Sequence, residues 1–179
     1  MDKFVILPTC SDLNRGDQAL VWQTMDMAKK AGCDGTFYML ASDKDSTKQS
    51  QAIGIRILAP ILKHPSRKFK SQDNNEYNLK LIVKWGSVAI VDLLVSLFLL
   101  IRFTRMIIFP LLPKNEKQTL KTIEESNACF VKGGGFIHSS GKITDSYTVY
   151  YQLFHILLAQ SLNKPVYVMP NSFGPFPGL

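Results

Sequence analysis

Cysteine is scarce and unpatterned in this 179-residue chain. Cys10, Cys33 and Cys129 show no C-x-x-C spacing, and an odd number does not suit a disulfide framework. They read as free thiols, which points to a reducing compartment, the cytosol. Histidine is as scarce, and no zinc or two-His pattern occurs, so no metal site is expected. The phosphate-binding fingerprints are missing too. The first apolar run leads into N-R-G-D rather than G-x-G-x-x-G, which removes the dinucleotide signature. Residues 135–144, G-F-I-H-S-S-G-K-I-T, approach a phosphate loop and fail it. Five residues separate Gly135 from Gly141 where four are needed, and Ile143 stands where Ser or Thr would meet magnesium. No cleavable leader is read at the amino terminus, because Phe4–Leu7 is cut by Pro8 and lacks a cleavage pattern. Internal repeats and low-complexity tracts do not occur. With 46% hydrophobic and 20% charged residues, the chain belongs with globular rather than disordered sequences.

Acidic residues are lacking in one place only. Residues 1–60 carry seven Lys/Arg and seven Asp/Glu, residues 122–179 three and three, and residues 61–121 eleven and four. The whole net charge of +7 therefore sits in the middle segment. A nucleic-acid surface spread over the fold is not expected from that distribution.

What is present is an alternation of short apolar runs with helical patterns. Phe4–Leu7, Thr36–Ala41, Ile55–Ala59, Ala128–Val131 and Pro165–Met169 read as strands. Gln18–Ala31, Lys114–Ser126 and Ser146 to about Leu162 read as helices, with Asp17 and Asp145 as N-caps. Ser42–Gln51 reads as loop or a short helix. The alternation predicts βαβ units and a parallel sheet flanked by helices, a Rossmann-like α/β domain over residues 1–179. Residues 61–121 form an insertion in it. Within this insertion, 61–78 is polar and basic, with Lys63, Arg67, Lys68 and Lys70, and Leu79–Phe109 is apolar and helical.

On one continuous helix, Lys80, Lys84, Arg102 and Arg105 would lie within roughly 60° of one another. The stretch between Lys84 and Arg102 holds Asp92 as its one charge. A membrane span is disfavoured, since it would put the earlier and later strands on opposite sides of a bilayer and no single sheet could form. Two readings stay open: a helix or helical hairpin lying in a membrane interface, or one buried against the protein. The basic flanks lean toward an anionic surface.

The organising stretch is Ala128–Gly141, A-C-F-V-K-G-G-G-F-I-H-S-S-G. A strand stops at Gly133, Gly134 and Gly135, where bare backbone makes either an open shelf for a substrate or a plain loop. Two other loops follow strands, N-R-G-D at 14–17 and N-S-F-G-P-F at 171–176. In a parallel sheet all three emerge on one edge, where ligands of open α/β folds bind.

In that order and spacing, Asn14, Gly16 and Asp17, then Gly133 to Gly135, then Gly174, Pro175 and Phe176 resemble the polysaccharide pyruvyl transferase family. The resemblance covers the family's amino-terminal half. It implies one half of a two-domain GT-B-type fold whose carboxyl-terminal domain is missing here. It also implies ketal formation, with pyruvate from phosphoenolpyruvate placed across two hydroxyls of a sugar. The implied acceptor is a cell-surface glycan or lipid-linked sugar. Phosphoenolpyruvate is a donor substrate, and no cofactor is implied.

Near the glycines the chain offers Arg15, Lys132, His138 and Lys142 as cations, few for so anionic a donor. The donor site is therefore expected in the missing half. On this half, Asp17 reads as a hydroxyl-binding group or base, or as a helix cap alone. His138 reads as a sugar or phosphate contact or as structural. Asn14, Gly16, Gly133, Gly134, Gly135, Ser139, Asn171, Ser172 and Gly174 are the candidate substrate-binding positions. Asp145 and Tyr147 suit the rim or simple packing, and His64 and His155 read as surface and helix-packing residues. Localisation is expected to be cytoplasmic, peripheral at the inner face of the membrane if residues 79–109 touch lipid. Two other readings remain: a GT-B glycosyltransferase half using a nucleotide sugar, and a membrane-associated binding domain without enzyme activity.

Overall fold

Strict inward alternation in the central strands decides how the layers stack. Phe4 and Ile6, Phe37 and Met39, and Ala128 and Phe130 share one buried cluster. Val5 and Leu7, Tyr38 and Leu40, and Cys129 and Val131 share another. Side chains alternate across a strand, so a sheet buried on both faces needs apolar residues at every position. The computed structural model describes residues 1–42, 46–63, 79–139 and 145–176, and of 79–82 the backbone only. The basic run from His64 through Arg67, Lys68 and Lys70, the side chain of Lys80, and Gly141 and Lys142 lie outside the described residues.

The strands are β1 (Asp2–Leu7), β2 (Gly35–Leu40), β3 (Arg56–Leu58), β4 (Ala128–Val131), β5 (Gly134–Ile137), β6 (Val166–Val168) and β7 (Asn171–Phe173). The helices are α1 (Arg15–Lys30), α2 (Lys48–Ala52), α3 (Leu79–Leu100), α4 (Arg102–Ile108), α5 (Lys114–Glu124) and α6 (Asp145–Ser161), with a 3₁₀ turn at Phe109–Leu111. The main sheet is parallel throughout, in the order β3-β2-β1-β4-β6. This is a Rossmann-like α/β fold. Val21, Met25 and Ala28 of α1 cover one face, and Leu120 and Ile123 of α5 with Phe154, Leu158 and Ala159 of α6 cover the other. Full burial of such side chains contributes about 1.5–3 kcal/mol each.

Three expectations need correction. Helix α1 begins at Arg15, and its N-cap is Asn14, not Asp17. Asn14 has extended backbone and its Oδ1 accepts from the Asp17 N–H, which leaves Asp17 inside the first turn. Its carboxylate there still favours the positive end of the helix dipole. The glycine run is not a plain loop into a helix, because Gly134 begins β5. That strand pairs in parallel with β7, through Gly134 with Asn171 and Ile137 with Phe173. Lastly, Leu79–Phe109 is not one helix. Ile101 is extended (φ −94°, ψ 126°) and separates α3 from α4, so the shared helical wheel of the four basic residues does not form.

The break at Ile101 is capped by side chains of α4: Thr104 Oγ1 donates to Phe98 O (2.6 Å), and Arg105 covers the next carbonyls. The Arg105 Nε donates to Leu99 O (2.7 Å), and its Nη2 donates to Leu100 O, Ser161 O and Ser161 Oγ. The carbonyls at the end of α3 are thereby satisfied by side chains. Burial lowers the pKa of the guanidinium without threatening its charge. Arg105 serves the fold rather than an outer surface.

Helix α6 anchors the start of the insertion. His155 is buried, at 1% exposure, and its Nε2 accepts from the Ile61 N–H at 3.1 Å. Burial pushes its pKa down to about 3, so the ring is neutral with its proton on Nδ1. The helix-packing role read for His155 holds.

Candidate functional site

From β1 the chain runs outward to β2 and β3, whereas β4 lies on the other side of β1 and leads on to β6. The strand order reverses between β1 and β4. Outside their carboxyl ends lies the crevice where open α/β sheets bind ligands. The residues that follow β1 and β4 are the ones to examine.

Lys132 follows Val131 directly and continues the side of Phe130, toward α1. Its side chain is 2% exposed, and its Nζ lies 2.6 Å from Asp17 Oδ1. The ammonium also sits 5.1 Å from the ring centroid of Phe136, a cation–π contact in a partly desolvated place. The other carboxylate oxygen, Asp17 Oδ2, accepts from Asn14 Nδ2 at 3.1 Å. Asn171 Nδ2 donates to Lys132 O (3.0 Å) and to Met169 O (2.7 Å). A chain of polar contacts, Asn14–Asp17–Lys132–Asn171, thus joins the loops after β1, β4 and β6. Asn171 Oδ1 is buried and accepts from no described protein group. Because Nδ2 faces two carbonyls, an amide flip does not relieve it. Asp17 keeps 35% of its side chain exposed. A carboxylate has about four acceptor positions, so after Lys132 and Asn14 it can still accept from a hydroxyl.

The three glycines have different reasons to be glycine. A Cβ on Gly133 would lie 2.9 Å from Pro170 O. Gly134 has φ +123°, where L-residues are strained, and a Cβ there would also press on Leu20. Gly135 is exposed, and a Cβ on it would make ordinary contact with Ser172. Gly133 also borders an apolar groove of about 230 Å³ with Leu20, Met27, Met169 and Pro170.

Gly16 and Ser172 are exposed, and Gly174 (φ +84°) turns the chain after β7. His138 is exposed at the end of β5, with Nδ1 2.9 Å from Gly135 O. In the neutral ring that contact puts the proton on Nδ1 and leaves Nε2 to accept. Ser139 is buried and donates to Asp145 Oδ2 at 3.0 Å, which ties the segment after β5 to the start of α6. Among the described residues no group of three or more His, Cys, Asp or Glu is placed to hold a metal ion.

Sequence reasoning missed the ion-pair role of Lys132. Its signal was present: a lysine that closes the otherwise apolar run A-C-F-V cannot reach water from the sheet centre without a partner. Asp12 was missed as well. It is buried and accepts from the Gln49 N–H (2.8 Å), the Ser50 N–H (3.1 Å) and the Ser50 hydroxyl. Burial alone would raise its pKa, but these hydrogen bonds hold it below the usual range. Asp12 fixes the loop after β1 to α2. Arg15 then bridges Gln18 Oε1 and Gln49 Oε1. Cys10, in the same loop, is buried and its thiol is pushed up to about 11 mainly by burial, against the pull of Lys132. It is therefore not a thiolate nucleophile.

Further along the same sheet edge, beyond β2 and β3, lies a hollow of about 310 Å³. Ala41, Ser42, Thr47, Gln51, Asn115 and Gln118 contribute to its lining, which among the described residues carries hydroxyls and amides and no charged side chain.

Residues 14–178 match the family model described as Polysaccharide pyruvyl transferase. No curated protein and no solved structure matches the chain.

Proposed function

The chain belongs to the polysaccharide pyruvyl transferase family, and from that premise we propose that its carboxyl sheet edge holds the acceptor sugar of a phosphoenolpyruvate-dependent ketal transfer. In this reaction the methylene carbon of phosphoenolpyruvate gains a proton. Two acceptor hydroxyls add to the carbon that bore the phosphate, the bond to the phosphate oxygen breaks, and inorganic phosphate leaves with the remaining proton. Asp17 accepts from one acceptor hydroxyl and draws its proton away as the oxygen attacks. Lys132 and Asn14 are positioning residues, since each takes one oxygen of that carboxylate and fixes its plane. His138 Nε2 faces outward as a second polar contact for sugar or phosphate.

The observation that carries this reading is the Lys132–Asp17 pair at the switch point. A buried ion pair costs desolvation energy that its mutual attraction only partly offsets. Such a pair, with acceptor positions still open on a carboxylate that keeps 35% of its side chain exposed, fits a site better than a scaffold. The hollow beyond β2 and β3 suits a further sugar of the acceptor, because its described hydroxyls and amides pair with sugar hydroxyls. Phosphoenolpyruvate itself needs several converging cations. Among the described residues this edge supplies Arg15, already bonded to two glutamines, Lys132, already paired, and His138, whose Nδ1 is held by Gly135 O. We therefore place the donor's anion-binding groups outside the described residues, in a second domain that closes over this edge.

Asp17→Asn tests the assignment. It preserves an acceptor for Lys132 and the first-turn geometry while removing the base. Phosphate release from phosphoenolpyruvate, measured per folded protein with the natural protein and the source cell's own glycans, should fall about 10²-fold or more; the melting temperature falls as well, because buried Lys132 loses its counter-charge. Turnover that falls no further than the folded fraction would leave Asp17 a structural residue.

A further inference from the structure

Helix α3 is long and apolar enough to cross a membrane. Its window Val83–Leu100 has mean hydropathy 1.9, and the fold buries only 11% of that window. The residues left outside follow helical spacing. Val83, Ile90, Leu94, Leu97 and Ile101 recur at steps of three, four or seven, and Val91 and Phe98 lie beside them. After the break, α4 adds exposed Phe103, Met106 and Ile107. Soluble monomers rarely leave so continuous an apolar surface bare.

The opposite side of α3 faces the protein. Leu99 is fully buried, and the Ser96 hydroxyl meets Tyr150 Oη of α6 at 2.9 Å. Asp92 lines the same inner side with Val95, Ser96 and Leu99, and its charge helps raise the pKa of Tyr147 on α6, after the larger effect of burial. The one acid of α3 is therefore turned away from the exposed stripe. Among side chains described from Val83 to Ile101, the exposed charge is Lys84, and Arg102 stands exposed at the break.

We propose that the exposed faces of α3 and α4 dock in the interface of an anionic lipid membrane, lying along it rather than crossing it. Three facts select that occupant. The segment 61–121 that carries this surface also holds the chain's entire net charge of +7. Anionic lipid complements that charge, whereas a second copy would set +7 against +7. Attachment of α3 to α6 through Ser96–Tyr150 and Leu99 holds one long side of the helix to the protein body, which an interfacial helix tolerates and a lone span does not. Membrane docking of this face is independent of the transferase reaction.

The test is co-sedimentation of the natural protein with vesicles of phosphatidylcholine mixed with phosphatidylglycerol, against phosphatidylcholine alone. Binding should favour the mixed vesicles and weaken as salt rises from about 0.1 M to about 1 M. A Leu94→Ser, Leu97→Ser, Phe98→Ser variant should bind at least about ten-fold more weakly. These side chains are exposed, so its thermal unfolding should stay close to the parent's. Arg102→Glu provides a separate charge-based arm and should weaken binding to mixed vesicles alone. Equal binding of both variants and the parent would overturn the proposal, as would no binding to either vesicle. A lipid-free dimer lost in the triple variant would assign the surface to a second copy. Resistance of cell-membrane protein to alkaline extraction would assign it to a true span.

Discussion

Lys132 and Asp17 are far apart in sequence and act as one group in the fold. The lysine is inaccessible, so the carboxylate is the part of the pair open to the crevice, and its geometry is set by Lys132 on one oxygen and Asn14 on the other. This separates the two roles that the sequence left open for Asp17. Capping belongs to Asn14, and the Asp17 side chain is directed to the crevice. His155 makes a residue-scale prediction of a different kind. Its folded pKa lies near 3 because of burial, against about 6.5 unfolded. The unfolded chain therefore takes up a proton first on acidification. The His155 contribution to stability is complete above about pH 6.5, declines below it, and should have lost about 2 kcal/mol by pH 5. Protonation would also cost the acceptor that holds the Ile61 N–H. Denaturant titrations across this range should show the slope in the parent and lose it in His155→Gln. A slope unchanged by that substitution would exclude His155 as its source.

Among the elements, the β5–β7 ribbon is the one that shapes the site. It brings Gly134 beside Asn171, and Asn171 in turn holds Lys132 O. Its entry depends on Gly133, where the Pro170 carbonyl occupies the space a side chain would need. Gly133→Ala should therefore cost about 1–3 kcal/mol by overpacking. Gly135→Ala, with only ordinary contact to Ser172, should cost much less. The two melting temperatures, measured side by side, check this. Equal losses would mean that glycine is needed at both positions for backbone freedom rather than space. Helices α3 and α4 are separated at Ile101, where Thr104 and Arg105 turn back onto the last carbonyls of α3. A hydropathy pattern does not reveal that break, since Ile101 is itself a good helix-interior residue by composition.

At the scale of the whole molecule, stability is uneven in a way that follows from layering. Strands β1, β2 and β4 are covered on both faces and paired on both edges, while the ribbon has two strands among the described residues. Two-stranded pairs are marginal alone. Native-state hydrogen exchange should therefore find the slowest amides in Val5–Leu7, Phe37–Leu40 and Cys129–Val131, and much faster ones in β5 and β7. Uniform protection across both sheets would contradict this layering. Residue type and spacing alone are enough to specify the parallel α/β architecture. A strand buried on both faces must be apolar at every position, and no amount of tertiary context hides such runs between amphipathic helices. The N-x-G-D, G-G-G and G-P-F loops were legible for a similar reason, because glycine and proline mark places where the backbone is constrained locally. Only the tertiary structure decided that Asn14 caps α1, that Lys132 is buried against Asp17, that the glycines open a second ribbon, and that Thr104 and Arg105 cap a break in the apolar helix. Each of these depends on contacts between residues distant in sequence, or on competition between neighbouring capping groups, and residue type and spacing do not record which partner wins.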